Sequence, residues 1–239
     1  MEASKPRSSE VVAREIERQV IADGWPVGRN LGSATELEHR YRVSKPTLRE
    51  AVRILENRSV ATMKRGPGGG LVVKAPSETL ATDGAALYLE YRHVSLKQLL
   101  IVRRSLELAC IDLAVQHLDE EGITRLRAVV ADERPDASPG TDVSTTGFHL
   151  LLAELSGNPA LALFVGVLIR LMNERFERRQ RRDLSVEDLR AIHQRHEGIC
   201  DAIVTGDSGL ARHRMLRHLE EFEASASRRA HHASVVRSA

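Results

Sequence analysis

The sequence has few of the residues that would cross-link it or hold it in a membrane. It contains two cysteines, Cys110 and Cys200, far apart in 239 residues. That excludes a disulfide framework and a paired Cys-x-x-Cys metal motif. No stretch approaches the run of about 18 apolar residues that a membrane span needs. Met1 to Ser9 is polar and lacks the apolar core of a signal peptide, so a cytoplasmic protein without membrane contact is expected. Aromatic residues make up only 3% of the chain. Plentiful Leu, Val and Ala fit helices packed on helices better than a β-sandwich. Two catalytic signatures are missing as well. The glycine-rich stretch Arg65-Gly66-Pro67-Gly68-Gly69-Gly70 is not followed by Lys-Ser/Thr or by a helix, as a phosphate-cradling loop would be. No His-Glu-x-x-His occurs either, and no enzyme activity is expected.

The net charge of +2 conceals an asymmetry. Residues 1–75 carry 14 Lys/Arg against 9 Asp/Glu, or +5, and the rest 21 against 24, or −3. A basic head on a mildly acidic body suggests that the head meets a polyanion.

Within the head, Ser44-Lys-Pro-Thr-Leu-Arg-Glu50 opens a helix. Ser44 is a good N-cap, and Pro46 is tolerated in a first turn, where amides lack helical partners. Leu48, Ala51, Val52 and Leu55 form one apolar stripe at i, i+3, i+4, i+7. Lys45, Arg49 and Arg53 run along its flank, with Thr47 near the exposed start. An apolar back and a basic, hydroxyl-bearing front suit base edges and phosphates. Upstream, Ser9 is placed to cap a helix whose apolar positions are Val12, Ile16 and Val20, ended by Gly24 to Gly28. Ser33 and Glu36 form a capping box for a second helix running to Arg42. Two short helices joined by a tight turn make a helix-turn-helix. Val60–Lys64 and Leu71–Val73 then read as a hairpin with a glycine-rich tip, a wing whose backbone can approach phosphates.

After a linker at Ala75-Pro76-Ser77 the pattern is helical. Helices are expected near 80–92, 95–118, 121–134, 142–156, 159–181, 185–205 and 208–226, with breaks at Pro135 to Gly140 and Ser156 to Pro159 and a frayed tail from Arg228. The fold class is mainly α: a winged helix-turn-helix over 1–75, three helices plus a hairpin, then an all-helical antiparallel bundle over 76–239. The basic run Arg175 to Arg182 is most simply a solvated helix face.

Three histidines in the body invite a common role. His196 lies 11 residues before Asp207 and His218 lies 11 after it. If Gly206-Asp207 is the turn between antiparallel helices, both sit about 16 Å from it, at one level. His149 stands among Phe148 and Leu150 to Leu152 and can point inward. Three imidazoles with an open position suit Zn²⁺ or a similar ion. The plainer alternative is a set of core or surface histidines in a chain that has ten. On the helix whose apolar positions include Val102, Leu106, Ala109 and Leu113, Arg103 or Arg104 can face a cavity and pair with a carboxylate effector. A surface ion pair with Glu107 is the alternative.

With these residues in view, the sequence resembles the GntR family of bacterial transcription regulators. Gly28 to Leu37, Val43 to Val52 and Lys64 to Val73 carry the resemblance in the head. In the body, Arg103-Arg104-Ser-Leu-Glu107, Phe148-His149, Ser156-Gly-Asn158, His196, Gly206-Asp207 and His218 resemble the FCD effector domain of the FadR subgroup. The resemblance implies DNA contacts from Ser33, Lys45, Thr47, Arg49 and the wing around Arg65 and Gly66. Ser44, Arg53 and Thr35 complete the candidate DNA surface. Thr35 stands where such proteins usually carry Arg, so operator choice differs there. The resemblance also implies a homodimer on double-stranded operator DNA and a metal held by His149, His196 and His218. The fourth ligand, an Asp one turn before the first His, is Thr145 here, a poorer ligand for a divalent cation. Arg103, Arg104, Thr145 and the three histidines are then the candidate effector residues.

The function expected is a ligand-responsive DNA-binding regulator, a repressor released by an organic acid or acyl compound. A constitutive DNA-binding dimer is the main alternative. A zinc enzyme is disfavoured, since Glu197 beside His196 points off the shared face.

Overall fold

The computed structural model describes residues 8–134, 145–173 and 185–238. The chain divides into two compact units, Met1–Ala81 and Thr82–Ala239. Among the described residues there are ten helices and one two-stranded sheet.

In the first unit, α1 (Ser9–Ala22) is capped by Ser8, whose hydroxyl accepts from the Val11 amide. Ser9, expected as the cap, is instead the first helical residue. The cap must keep an extended backbone, and Ser8 does so at φ −73, ψ 154. Gly24 and Trp25 then turn the chain in the left-handed region, at φ 76 and 56. That conformation is unusual for a bulky residue. It is held by the indole N–H, which donates to the Lys74 carbonyl at 2.7 Å.

Helix α2 (Ala34–Tyr41) begins with the Ser33/Glu36 capping box and ends at Arg42, a left-handed cap at φ 53. Helix α3 (Lys45–Asn57) follows, capped by Ser44. Val12, Ile16 and Val20 from α1, Leu37 from α2, and Leu48, Ala51 and Leu55 from α3 share one core. Each large apolar side chain so buried contributes about 1.5–3 kcal/mol.

Strand β1 (Ala61–Lys64) pairs antiparallel with β2 (Gly70–Val73), Ala61 opposite Val73 and Lys64 opposite Gly70. One element escaped the sequence reading: Asn30 forms a bridge with Val72, which adds a short third edge to the wing. Gly70 is required there, because a Cβ would meet Asn30 Oδ1 at 2.4 Å and the Gly32 carbonyl at 2.6 Å. Gly66 and Gly68 are different: both have positive φ and open space around them.

The fourth helix, α4 (Glu78–Tyr91), contains the boundary between the units. The second unit continues with α5 (Leu96–His117), α6 (Glu120–Asp132), α7 (Gly147–Leu155), α8 (Pro159–Met172), α9 (Val186–Val204) and α10 (Ser208–Ser238). Helix α5 packs against α7, α8, α9 and α10. Capping boxes at Ser95/Gln98 and Ser185/Asp188 start α5 and α9, and Asn158 with Pro159 starts α8. The turn at Gly206, φ 78, reverses the chain so that α9 and α10 run antiparallel. Phe148, Ile111, Leu126, Leu152, Ile199, Ile203 and Met215 fill the core.

Two expectations need correction. The tail from Arg228, expected to fray, is helical through Ser238. Its Arg-, Ala- and His-rich sequence holds no Pro or Gly to stop the helix. The face of α5 is also misassigned by the sequence pattern. Val102 is 48% exposed, and the inward stripe is Leu99, Leu100, Arg103, Glu107, Cys110, Ile111 and Ala114. Polar residues occupy two inward turns, so a hydrophobic count alone rotates the helix. The break at 135–140 and the basic run 175–182 lie outside the described residues.

Candidate functional site

The head presents its candidate contacts on the start of α3 and on the wing. Lys45, Arg49, Arg53, Arg65 and Gly66 are exposed, as are Ser44 and Thr35. Arg53 has a loose pair with Glu50 at 3.8 Å. Among the described residues no ion pair is found for Lys45, Arg49 or Arg65. These are solvated cations on one helix end and one hairpin, as a phosphate-binding surface needs.

Three expected hydroxyls are used locally. Ser44 Oγ accepts from the Thr47 amide and lies 2.9 Å from Thr47 Oγ1. Ser33 Oγ accepts from the Glu36 amide. These residues set the helix starts, and any contact they make with DNA comes in addition to that work.

The body brings His149, His196 and His218 together from α7, α9 and α10, all buried, with ligand atoms within 4.8 Å of one another. His218 Nε2 lies 3.3 Å from His149 Nε2 and 3.3 Å from His196 Nε2. Ligands about 2.0–2.1 Å from a tetrahedral zinc are separated by about 3.3 Å; both separations at His218 match that value, and all three ligand atoms lie within 4.8 Å of one another.

Two carboxylates that the sequence reading did not assign to this centre aim the rings. Glu107 Oε2 engages His149 Nδ1 at 2.7 Å, and Glu133 Oε2 engages His196 Nδ1 at 2.5 Å. A carboxylate on Nδ1 fixes the proton there and turns the Nε2 lone pair toward the centre. His218 has no such support: among the described residues no hydrogen-bond partner is found for its buried Nδ1 or for Glu133 Oε1. Thr145 is half-buried in the turn before α7. A hydroxyl there supplies none of the charge of a fourth carboxylate.

Charge at this centre is set mainly by burial. Burial pushes the imidazole of His149 down to about 4, against the pull of Glu107, and that of His196 to about 3. His218 falls well below its usual range through burial and the neighbouring imidazoles. At neutral pH all three rings are uncharged and available as ligands. Burial raises Glu107 too, but Arg103 and His149 outweigh it and hold the carboxyl at about 2. Glu133 has no such cation in contact, and burial lifts it to about 7.

Arg103 and Arg104 separate clearly. Arg103 is 3% exposed and donates through Nε to Glu107 Oε1 at 2.5 Å. Its pair with Glu107 is buried, not the surface pair considered from sequence. Nη1 lies 3.8 Å from the Met172 sulfur, and the guanidinium sits 5.9 Å from the Phe222 ring centre. Arg104 turns outward and pairs with Glu223 at 3.6 Å. Glu107 and Glu133 were missed because carboxylates in helices normally read as surface. The available signal was the continuation of Leu99/Leu100 through 103 and 107 to 110/111 at helical spacing.

Comparison with known proteins adds lineage to this geometry. The model of the FCD domain matches residues 98–221. The chain is 27% identical over 200 residues to the HTH-type transcriptional regulator LutR of Bacillus subtilis, covering 82% of this chain and 90% of that protein. It is 24% identical to the HTH-type transcriptional repressor NanR of Salmonella newport, with 93% and 86% covered. A GntR structure from Streptococcus agalactiae superposes with a TM-score of 0.67 at 20% identity, covering 91% of this chain and 99% of that one. This last likeness concerns the fold.

Proposed function

We propose, from the premise that this chain belongs to the FCD-domain family, that it is a GntR-family transcription regulator whose DNA affinity responds to a small molecule. The observation that carries the reading is the division of labour between the units. One carries a capped helix whose Lys45 and Arg49 have no ion pair among the described residues, and the other encloses three converging imidazoles and a buried arginine. LutR and NanR, which cover most of this chain, bear the names of a regulator and a repressor. Repression, released by the effector, is the expected mode, and the cytoplasm is its place of action.

Two copies would read the half-sites of a near-palindrome. Lys45, Arg49, Arg53 and Arg65 meet phosphates or base edges, while Ser33, Thr35, Ser44, Thr47 and Gly66 allow close approach. In the body, His149, His196 and His218 hold a divalent ion such as Zn²⁺, which supplies Lewis-acid attraction for an anionic ligand. Glu107 and Glu133 orient the rings, and Arg103 supplies a guanidinium for a carboxylate. Arg104, turned outward to Glu223, is left out of the proposed effector contacts, and the neutral hydroxyl of Thr145 would add no charge to a metal held by the three imidazoles. The ligand class that suits a cation beside a buried arginine is a small organic acid. Membership of the FadR subgroup is part of this proposal.

The test is selection of bound duplex from a random pool, followed by titration of the selected DNA with small carboxylates, with and without zinc. A selected near-palindrome whose affinity shifts with one carboxylate supports the reading. Selection of one sequence with no response to zinc or any carboxylate supports the constitutive binder instead.

A further inference from the structure

We propose that Glu107 couples the two halves of the buried centre: its single carboxylate holds the His149 imidazole for the metal and passes to it the state of Arg103. This rests on the metal and carboxylate reading above.

The geometry distinguishes Glu107 from its counterpart. Glu133 also holds an imidazole, but among the described residues no side-chain cation is found on its second oxygen. Glu107 uses both oxygens, Oε1 on Arg103 Nε and Oε2 on His149 Nδ1. It is 1% exposed, and Arg103, one turn earlier on α5, is 3% exposed. No solvent screens the exchange between them. Arg103 meets Glu107 through Nε, not through the paired Nη fork that a carboxylate fits best. Among the described residues, Nη1 lies 3.8 Å from the Met172 sulfur, and the guanidinium carbon is 5.9 Å from the Phe222 ring centre. The forked edge of a buried guanidinium therefore rests against soft, weakly accepting groups, where a ligand carboxylate would find two donors.

One carboxylate shared between two donors makes the consequences reciprocal. An anion on the Arg103 fork draws on the guanidinium charge and leaves more of the Glu107 charge for His149. The Nδ1 hydrogen bond strengthens, and Nε2 becomes a better donor to a cation. Conversely, a cation on Nε2 acidifies the Nδ1 proton, draws Glu107 toward His149 and loosens its hold on Arg103. Each ligand thus raises the affinity for the other by the same factor.

The test measures Zn²⁺ affinity, by competition with a chromophoric chelator, on four full-length proteins: wild type, Arg103→Lys, Glu107→Gln and the double variant. Lysine keeps the charge and removes the Nε contact. Glu107→Gln is expected to weaken zinc by about 10- to 100-fold. Arg103→Lys is expected to change zinc affinity in the wild-type background and to have no effect once residue 107 is Gln. An equal effect of Arg103→Lys in both backgrounds overturns the coupling, because it means that charge acts through space. Unchanged zinc affinity in Glu107→Gln overturns it as well. A wild-type protein that binds no zinc overturns the metal reading first, and this inference with it. Glu133→Gln is the control, expected to weaken zinc while leaving the Arg103 dependence intact. Should Glu107→Gln fail to fold, the imidazole ¹H–¹⁵N resonance of His149 Nδ1 in Arg103→Lys decides. It moves under the coupling and stays put without it.

Discussion

The two units of this chain treat charge in opposite ways. The head has an apolar core from Val12 to Val73 and leaves its cations at the surface; the ion pairs found among its described residues, Arg29–Asp23, Arg53–Glu50 and Arg58–Glu17, all lie there. The body buries Arg103, Glu107, Glu133 and three histidines among its core residues. The difference follows from the ligands each is suited to meet. A phosphate backbone is large and stays hydrated, so solvated arginines suffice and screening by salt tunes them. A small molecule must be recognised from within, where a few charges in a dry site act strongly and must be paired to exist at all.

The comparison is broken most severely by cutting a buried pair. Glu107→Ala strands Arg103 in the core and is expected to cost about 3–5 kcal/mol of the body's stability, measured by urea unfolding. A loss under 1 kcal/mol would mean that water reaches the site. Acid should separate the units next. His149 and His196 titrate near 4 and 3 when folded but near 6.5 when unfolded, so the unfolded chain takes up protons first. Their contribution is present above about pH 6.5 and is lost as the pH falls toward 4 and 3. Glu133 acts in the opposite direction. Its carboxyl is raised to about 7, so its contribution is present below about 4.5 and lost as the pH rises through 7. Between pH 4.5 and 6.5 the histidines outnumber it. With chelator present, the body's urea midpoint should therefore fall as the pH is lowered across that window. A flat midpoint would show that the imidazoles already carry protons in the fold.

Smaller effects belong to the head. Ser44→Ala removes the cap of α3 and is expected to cost about 1 kcal/mol in thermal unfolding. Arg49→Ala should leave stability unchanged and flatten the salt dependence of DNA binding by about 0.9 in log–log slope. An unchanged slope would remove Arg49 from the phosphate contacts. Glu17→Gln, at an exposed pair with Arg58, should change stability by about 0.2–1 kcal/mol. This is the surface counterpart of Glu107→Ala, and the ratio of the two losses measures the contrast directly.

The same contrast explains what could be read from the sequence. In the head, apolar stripes and caps obey local rules, and Ser33, Glu36, Ser44 and the stripe from Leu48 to Leu55 stand where those rules put them. In the body, the pairing of His196 with His218 followed from counting outward from the turn at Gly206. The choice of Arg103 over Arg104, and the inward place of Glu107, did not follow, because inward polar residues break the hydrophobic period that reveals a buried face. Glu133, at the end of α6, pairs with a ring 63 residues away. No local pattern carries that contact. The bridge from Asn30 to Val72 was hidden for a similar reason, since one residue has no periodicity.

The measurement that bears most directly on the account is the salt-dependent affinity of the full-length protein for a selected duplex, taken with zinc, with chelator, and with zinc plus a small carboxylate. The account predicts tight binding at low salt, a steep decline as salt rises, and a shift in affinity when zinc and carboxylate are both present. Absence of binding to any duplex at low salt, or one affinity under all three conditions, would contradict it.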